Sequence, residues 1–191
     1  SGKSTLLKTI IGLLLPSQGK IIFRGEDITN LPAFIRANLG IGYLFQGGSV
    51  FTNLTVKDNL QLATQNSSPE RDRLADNTYS IDVYSIFPEL KKYNSTRAGL
   101  LSGGLKQMLS LAMILVRKPQ LLLLDEPSAG LAPSVVKTLI QKIKEINRIY
   151  KIPILLVEQN IRQALSISDR VYIMKNGKIY LEENKPEKLL L

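Results

Sequence analysis

A chain of 191 residues with 44% hydrophobic and 21% charged residues has enough apolar content for one sizeable core, which excludes wholesale disorder. It contains no cysteine and no histidine, so disulfides, thiolate metal sites, cysteine nucleophiles and imidazole acid–base chemistry are all excluded. Twenty-five Lys and Arg against 16 Asp and Glu leave a net charge of +9, which permits nucleic acid, anionic lipid, phosphate compounds or an acidic partner, and equally serves plain solubility.

The chain opens on Ser1-Gly2-Lys3-Ser4-Thr5, and a helix is expected from here to about Ile11, with Leu6, Leu7, Ile10 and Ile11 on one face. Gly12 suits its C-terminal cap, and Pro16 prevents its continuation. A helix start offers free N–H groups and the positive end of the dipole, which is where a phosphate binds. The first residues match the second half of the phosphate-loop pattern G-x-x-x-x-G-K-[ST], with Lys3 for β/γ-phosphates and Ser4 for Mg²⁺. The first half of that pattern is absent, so a chain truncated at its N-terminus is the expectation. A bare G-K-S-T is weak in isolation.

Lys20-Ile21-Ile22-Phe23 is predicted as a short strand, Phe34 to Leu39 as a short helix, and Gly40 to Phe45 as a buried strand ending at Gln46. A Gln at such a strand end is ordinarily a loop residue; its functional reading is a contact to Mg²⁺ or water. Thr55 to Ala63 is a predicted helix with Thr55 as cap and Asp58 in place of the Glu or Gln of a capping box. Thr64 to Asn77 is polar and is expected as a loop or insertion. Residues 51 to 100 as a whole are expected to form a lobe of helices and loops.

Leu101-Ser102-Gly103-Gly104 opens a predicted helix running to Lys118. Two glycines let backbone N–H groups approach an anion and Ser adds a hydroxyl, while Ser102 would serve equally as a helix cap. Next comes Leu121-Leu122-Leu123-Leu124-Asp125-Glu126-Pro127. The leucine run without alternation suits a central parallel strand covered on both faces. It delivers Asp125 and Glu126 to its carboxyl end. Adjacent carboxylates repel, which favours a cation beside them. A helix from Pro133 to Tyr150, a strand from Ile152 to Val157 and a helix from Ile161 to Ser168 follow. Asn176-Gly177 then marks a hairpin between 171–174 and 178–181. Alternating strands and helices argue an α/β fold with a mainly parallel sheet. No apolar run approaches the roughly 20 residues that span a bilayer.

Phosphoryl transfer to water needs a phosphate cradle, a metal and a group that orients water. Lys3 and Ser4 supply the cradle and a metal ligand, Asp125 a second ligand, and Glu126 a carboxylate to polarise water.

The order Gly2-Lys3-Ser4-Thr5, Gln46, Leu101-Ser102-Gly103-Gly104, Leu124-Asp125-Glu126-Pro127, Gly130-Leu131 resembles the nucleotide-binding domain of ABC transporters over essentially the whole chain. The resemblance implies a P-loop ATPase core with a helical lobe at 51–100, all within one domain spanning 1–191. It implies ATP and Mg²⁺ as cofactors. Gly2, Lys3, Ser4, Thr5, Gln46, Ser102, Gly103 and Gly104 would bind nucleotide. Ser4, Gln46 and Asp125 would hold the metal, and Glu126 and Gln159 would be catalytic. It further implies a head-to-tail dimer with an identical or different second ATPase subunit, ATP lying between Lys3 of one copy and Ser102 and Gly104 of the other. Transmembrane permease subunits would be partners, the location would be peripheral on the cytoplasmic face of the cell membrane, and nucleic acid is not an expected partner.

Leu124 to Pro133 and Val157-Glu158-Gln159-Asn160 are further similar to the ATPase subunits of bacterial branched-chain or neutral amino-acid uptake systems, the LivF-like group. Gln159 stands where most of the wider family has a histidine, and the LivF-like group shares the Gln. Leu105 replaces the usual Gln or Glu after the signature glycines. Two alternatives stay open on the residues alone: an ABC ATPase working on nucleic acid or ribosomes, and a non-catalytic remnant.

Overall fold

The computed structural model describes residues 2–65 and 81–190. At its centre lies a parallel sheet of three strands, β3 (Ile41–Leu44), β4 (Leu121–Asp125) and β5 (Ile154–Val157), with β4 in the middle. The register pairs Leu44 with Leu124 and Asp125 with Val157. The three strands therefore end together, and the residues just beyond them converge: Gln46 after β3, Glu126 after β4, Glu158 and Gln159 after β5.

Strand β4 carries leucine at four successive positions because both of its faces are covered. Leu122 and Leu124 face one apolar cluster, built with helix α6 (Gly103–Leu115) and helix α7 (Pro133–Tyr150). Leu123 faces the other, built with Ile41, Val157 and helix α1 (Lys3–Ile11). Leu122, Leu123 and Leu124 are all fully buried. The apolar stripe of α7 runs Val136, Leu139, Ile140, Ile143 and Ile146, spaced for one helical face.

Two antiparallel hairpins flank this sheet: β1 (Ile22–Phe23) with β2 (Glu26–Asp27), and β6 (Val171–Lys175) with β7 (Lys178–Glu183). The second has its turn at Asn176-Gly177, both with positive φ, as the sequence predicts. The first is shorter than the strand expected from Lys20. The N–H of Ile21 donates to the Thr29 hydroxyl and its carbonyl accepts from Ile28 N, so that residue is held outside the ladder.

Residues 51–65 and 81–100 hold α3 (Val56–Gln65), α4 (Val83–Ile86), α5 (Pro88–Lys92) and a 3₁₀ turn at Ala98–Leu100. Thr55 caps α3 reciprocally with Asp58: Asp58 N donates to the Thr55 hydroxyl, and Thr55 N and Oγ1 donate to the Asp58 carboxylate. Asp therefore completes the capping box despite its shorter side chain. Of the stretch expected as a loop, Thr64 and Gln65 close α3, and 66–77 lie outside the described residues. Val56, Leu60, Val83, Ile86, Phe87 and Leu90 pack into the same cluster as α6 and β4. Lys142 on α7 donates to the Ile86 carbonyl and lies 5.4 Å from the Phe87 ring centre, fastening these helices to α7.

Several bounds differ from the sequence expectation. Helix α6 stops at Leu115 rather than Lys118, because Pro119 disfavours helical geometry at the preceding residue and Lys118 turns to φ 50°. Strand β5 starts at Ile154 rather than Ile152, since Pro153 has no N–H for the ladder. Helix α2 occupies Ala33–Asn38 and helix α8 Ile161–Ile167, each within a residue of expectation. No helix among the described residues is long and apolar enough to cross a membrane.

One residue of the fold had no sequence signal. Arg36, on α2, is fully buried, and its guanidinium donates to the carbonyls of Thr9, Ile10, Thr29 and Leu31 at 2.7–2.8 Å. Two of these belong to the C-terminal turn of α1, where orphan carbonyls and the negative dipole end favour a cation. Gly12 is required beside it: a Cβ there would stand 2.8 Å from Arg36 Nε, at a backbone φ of 88°.

Candidate active site

The site is built from the carboxyl ends of β3, β4 and β5 and the amino end of α1. Gly2 precedes α1 in a left-handed conformation, with no side chain capping the helix start. The first N–H groups of α1 are thus left to an outside anion. Ser4, in the first turn, donates its hydroxyl to Asp125 Oδ1 at 2.8 Å. The other carboxylate oxygen, Oδ2, accepts from the Tyr43 hydroxyl at 3.1 Å. Asp125 is buried and is held by one hydroxyl from α1 and one from β3.

Glu126 takes up φ 46°, a left-handed conformation that costs a residue with a Cβ. Its N–H donates to the Val157 carbonyl and its own carbonyl accepts from Ala129 N, which hold it there. The carboxylate is covered by two amides. Gln46 Nε2 donates to Oε2 at 3.1 Å, and Gln159 Nε2 lies 2.8 Å from both oxygens. Four residues distant in sequence, Ser4, Tyr43, Gln46 and Gln159, therefore meet at the adjacent carboxylates of Asp125 and Glu126, and Lys3 adjoins Ser4 in the chain.

Ser102, Gly103 and Gly104 do not join this cluster. The Ser102 hydroxyl accepts from Leu105 N at 3.3 Å, so it caps α6. A Cβ on Gly104 would fall 2.5 Å from Val135 Cγ1, so this glycine is needed for α6 to approach α7. Leu105 packs against the core beside α7.

Sequence reasoning missed Tyr43. It sits in an apolar strand, where an aromatic reads as core. Burial first, and then the neighbouring Asp125 charge, push its phenol well above the ordinary range. The residue therefore remains a hydroxyl donor at any physiological pH.

The donor set is oxygen-rich and suits a hard cation: the Ser4 hydroxyl and the Asp125 carboxylate converge within 2.8 Å of each other. Among the described residues there is no cluster of three or more His, Cys, Asp or Glu able to hold a metal alone. A Mg²⁺ shared with phosphate oxygens fits such a sparse protein contribution.

Comparison with known proteins gives the family of the chain. A family model described as ABC transporter matches residues 1–129. The chain is 42% identical over 201 aligned positions to the "Probable branched-chain amino acid transport ATP-binding protein LivF" of Archaeoglobus fulgidus, covering 100% of this chain and 83% of that one. It is 39% identical to the "High-affinity branched-chain amino acid transport ATP-binding protein BraG" of Pseudomonas aeruginosa, covering 96% of this chain and 76% of that one. Among solved structures, a nucleotide-free ATP-binding cassette from an ABC transporter superposes with a TM-score of 0.79 at 28% identity, over 100% of this chain and 80% of the other. The chain belongs to the ABC transporter family, as one of its ATP-binding proteins.

Proposed function

We propose that this protein hydrolyses MgATP to drive import of branched-chain or neutral amino acids through a membrane permease. The observation that carries the hydrolytic reading is the Glu126 carboxylate, positioned by Gln46 and Gln159 beside the Ser4–Asp125 pair. The transport reading is supported by the likeness to the proteins named for branched-chain amino-acid transport.

In this reading Lys3 and the open N-terminus of α1 bind the β- and γ-phosphates of ATP, with Gly2 and Thr5 lining the same turn. Ser4 and Asp125 would hold Mg²⁺, with the amide oxygen of Gln46 as a further ligand. Bound there, Mg²⁺ would supply neutralising charge for the phosphate oxygens. Glu126 accepts a proton from the attacking water, the role left to a carboxylate in a chain without histidine. Gln159 supplies an amide donor for the charge that develops on the γ-phosphate, without carrying charge or moving a proton.

Ser102, Gly103 and Gly104 stand apart from this cluster, which favours their serving the nucleotide of a second ATPase subunit. Residues 51–65 and 81–100 belong to the lobe that meets the permease, and the protein works peripherally on the cytoplasmic face of the membrane.

The test is Glu126→Gln. It should bind MgATP with near wild-type affinity and hydrolyse it very slowly; wild-type turnover would remove Glu126 from this role. For the transport reading, protein assembled with its permease in vesicles should show ATP-dependent uptake of leucine or a neutral amino acid. Turnover without such uptake would leave hydrolysis standing and remove the substrate assignment.

A further inference from the structure

The loop after β5 carries Glu158, a residue the hydrolytic reading leaves without a role. Its carboxylate grips Ser128 at two points. Ser128 N donates to Oε1 at 3.0 Å and the Ser128 hydroxyl donates to Oε2 at 2.9 Å. Each residue of the stretch Val157 to Asn160 in fact reaches a specific partner. The Val157 carbonyl accepts from Glu126 N, Glu158 takes Ser128, Gln159 takes the Glu126 carboxylate, and Asn160 caps α8 by accepting from Gln163 N. The loop after β4 and the loop after β5 are thus laced together from both sides of the Glu126–Gln159 contact.

From this geometry we infer that Glu158 is a positioning residue for the reaction: by gripping Ser128 it sets the distance between Gln159 and Glu126. The left-handed backbone of Glu126 is held by the Val157 carbonyl and by Ala129 N, and neither bond reaches Gln159. The grip on Ser128 adds two charge-assisted bonds immediately beyond Pro127. It also anchors the start of the segment Ser128 to Leu131, which leads into α7 and lies next to Gly103 through Leu131. The inference rests on the reading of Glu126 and Gln159 as the hydrolytic pair.

The experiment compares Glu158→Gln, Ser128→Ala, the double variant and Ser128→Thr, with Glu126→Gln as control. Glu158→Gln removes the charge at nearly constant shape. It should lower kcat on the order of tenfold to 100-fold, the scale of a small misplacement of a reacting group, with the KM for ATP within about twofold. Ser128→Ala should lower kcat in the same sense, and the double variant should be little worse than the poorer single one, because both cut the same tie. Ser128→Thr keeps both donors and should retain kcat. Amide hydrogen exchange should speed at Ser128 in Glu158→Gln while Leu124 keeps its protection.

Wild-type kcat in Glu158→Gln overturns the inference, whatever the exchange rates show. So does an additive double variant, or loss of kcat that merely follows a lower unfolding temperature. Should Glu158→Gln fail to fold, Ser128→Ala against Ser128→Thr decides on the same readouts. Fast turnover in Glu126→Gln would bring down the underlying reading; slow turnover there with normal turnover in Glu158→Gln brings down only this one.

Discussion

Gln159 presents its side-chain amide at 2.8 Å from both carboxylate oxygens of Glu126, while Gln46 donates to one of them from beyond β3, on the other side of β4. Two neutral amides thus occupy the lone pairs that a general base uses. A histidine in place of Gln159 could pair with the carboxylate as a cation; an amide orients it without neutralising it.

Removal of the carboxylate is the first prediction. Glu126→Gln should lower kcat on the order of 10²–10⁴-fold, the usual contribution of a general base, with little change in MgATP affinity. Steady-state turnover and equilibrium nucleotide binding, measured on the same preparation, check it.

The buried Arg36 supports a prediction about stability alone. Arg36→Met removes a donor from the carbonyls of Thr9, Ile10, Thr29 and Leu31, of which Thr9 keeps the Gly12 N–H. Relief from burying a charge offsets part of this loss, and a net destabilisation of about 3 kcal/mol is expected. The urea midpoint should fall at unchanged slope. Its guanidinium meets the C-terminal end of α1, the end opposite Lys3 and Ser4, so nucleotide affinity of the folded fraction should hold.

Gly104 separates packing from phosphate binding. Gly104→Ala drives a methyl into Val135 Cγ1 and should destabilise by about 1–3 kcal/mol. Val135→Ala in the same chain should restore the thermal midpoint. Hydrolysis that stays low after this repair would show that the backbone at Gly104 serves nucleotide as well as packing; full recovery would show packing only.

Tyr43 gives a pH dependence with a definite sign. Its folded-state pKa lies above the unfolded value, through burial first and then the Asp125 charge. The protonated phenol therefore favours the folded state. This contribution is complete below an unfolded pKa of about 10 and is lost as pH rises beyond it. Wild-type protein should lose stability above about pH 10 more steeply than Tyr43→Phe, as denaturant midpoints across that range would record.

Much of the architecture is legible in residue order. The leucine run of β4 announces a strand covered on both faces, the stripe of α7 announces an amphipathic helix, and Thr55, Asn176-Gly177 and Gly12 mark boundaries through local backbone chemistry alone. These signals are local, which is why they survive without a structure. Errors fell at ends: α6 was read three residues too long because Pro119 acts backwards on Lys118, and β1 too long because a Thr29 hydroxyl competes for Ile21.

The sequence by itself determined which residue types could do chemistry. Without histidine or cysteine, carboxylates are the first candidates for a general base near neutral pH, and Asp125-Glu126 at the end of a buried strand is the place to look. Only the tertiary structure decided who meets those carboxylates. Parallel register brings three strand ends level, so Gln46 and Gln159 reach Glu126 across 80 and 33 positions of chain, and Ser4 reaches Asp125 across 121. Tyr43 and Arg36 carry no local signature, and Glu158 carries none beyond the family likeness of Val157 to Asn160. Each acts on a partner chosen by packing, and the spacing of residues along a chain carries no information about a distance that packing alone sets.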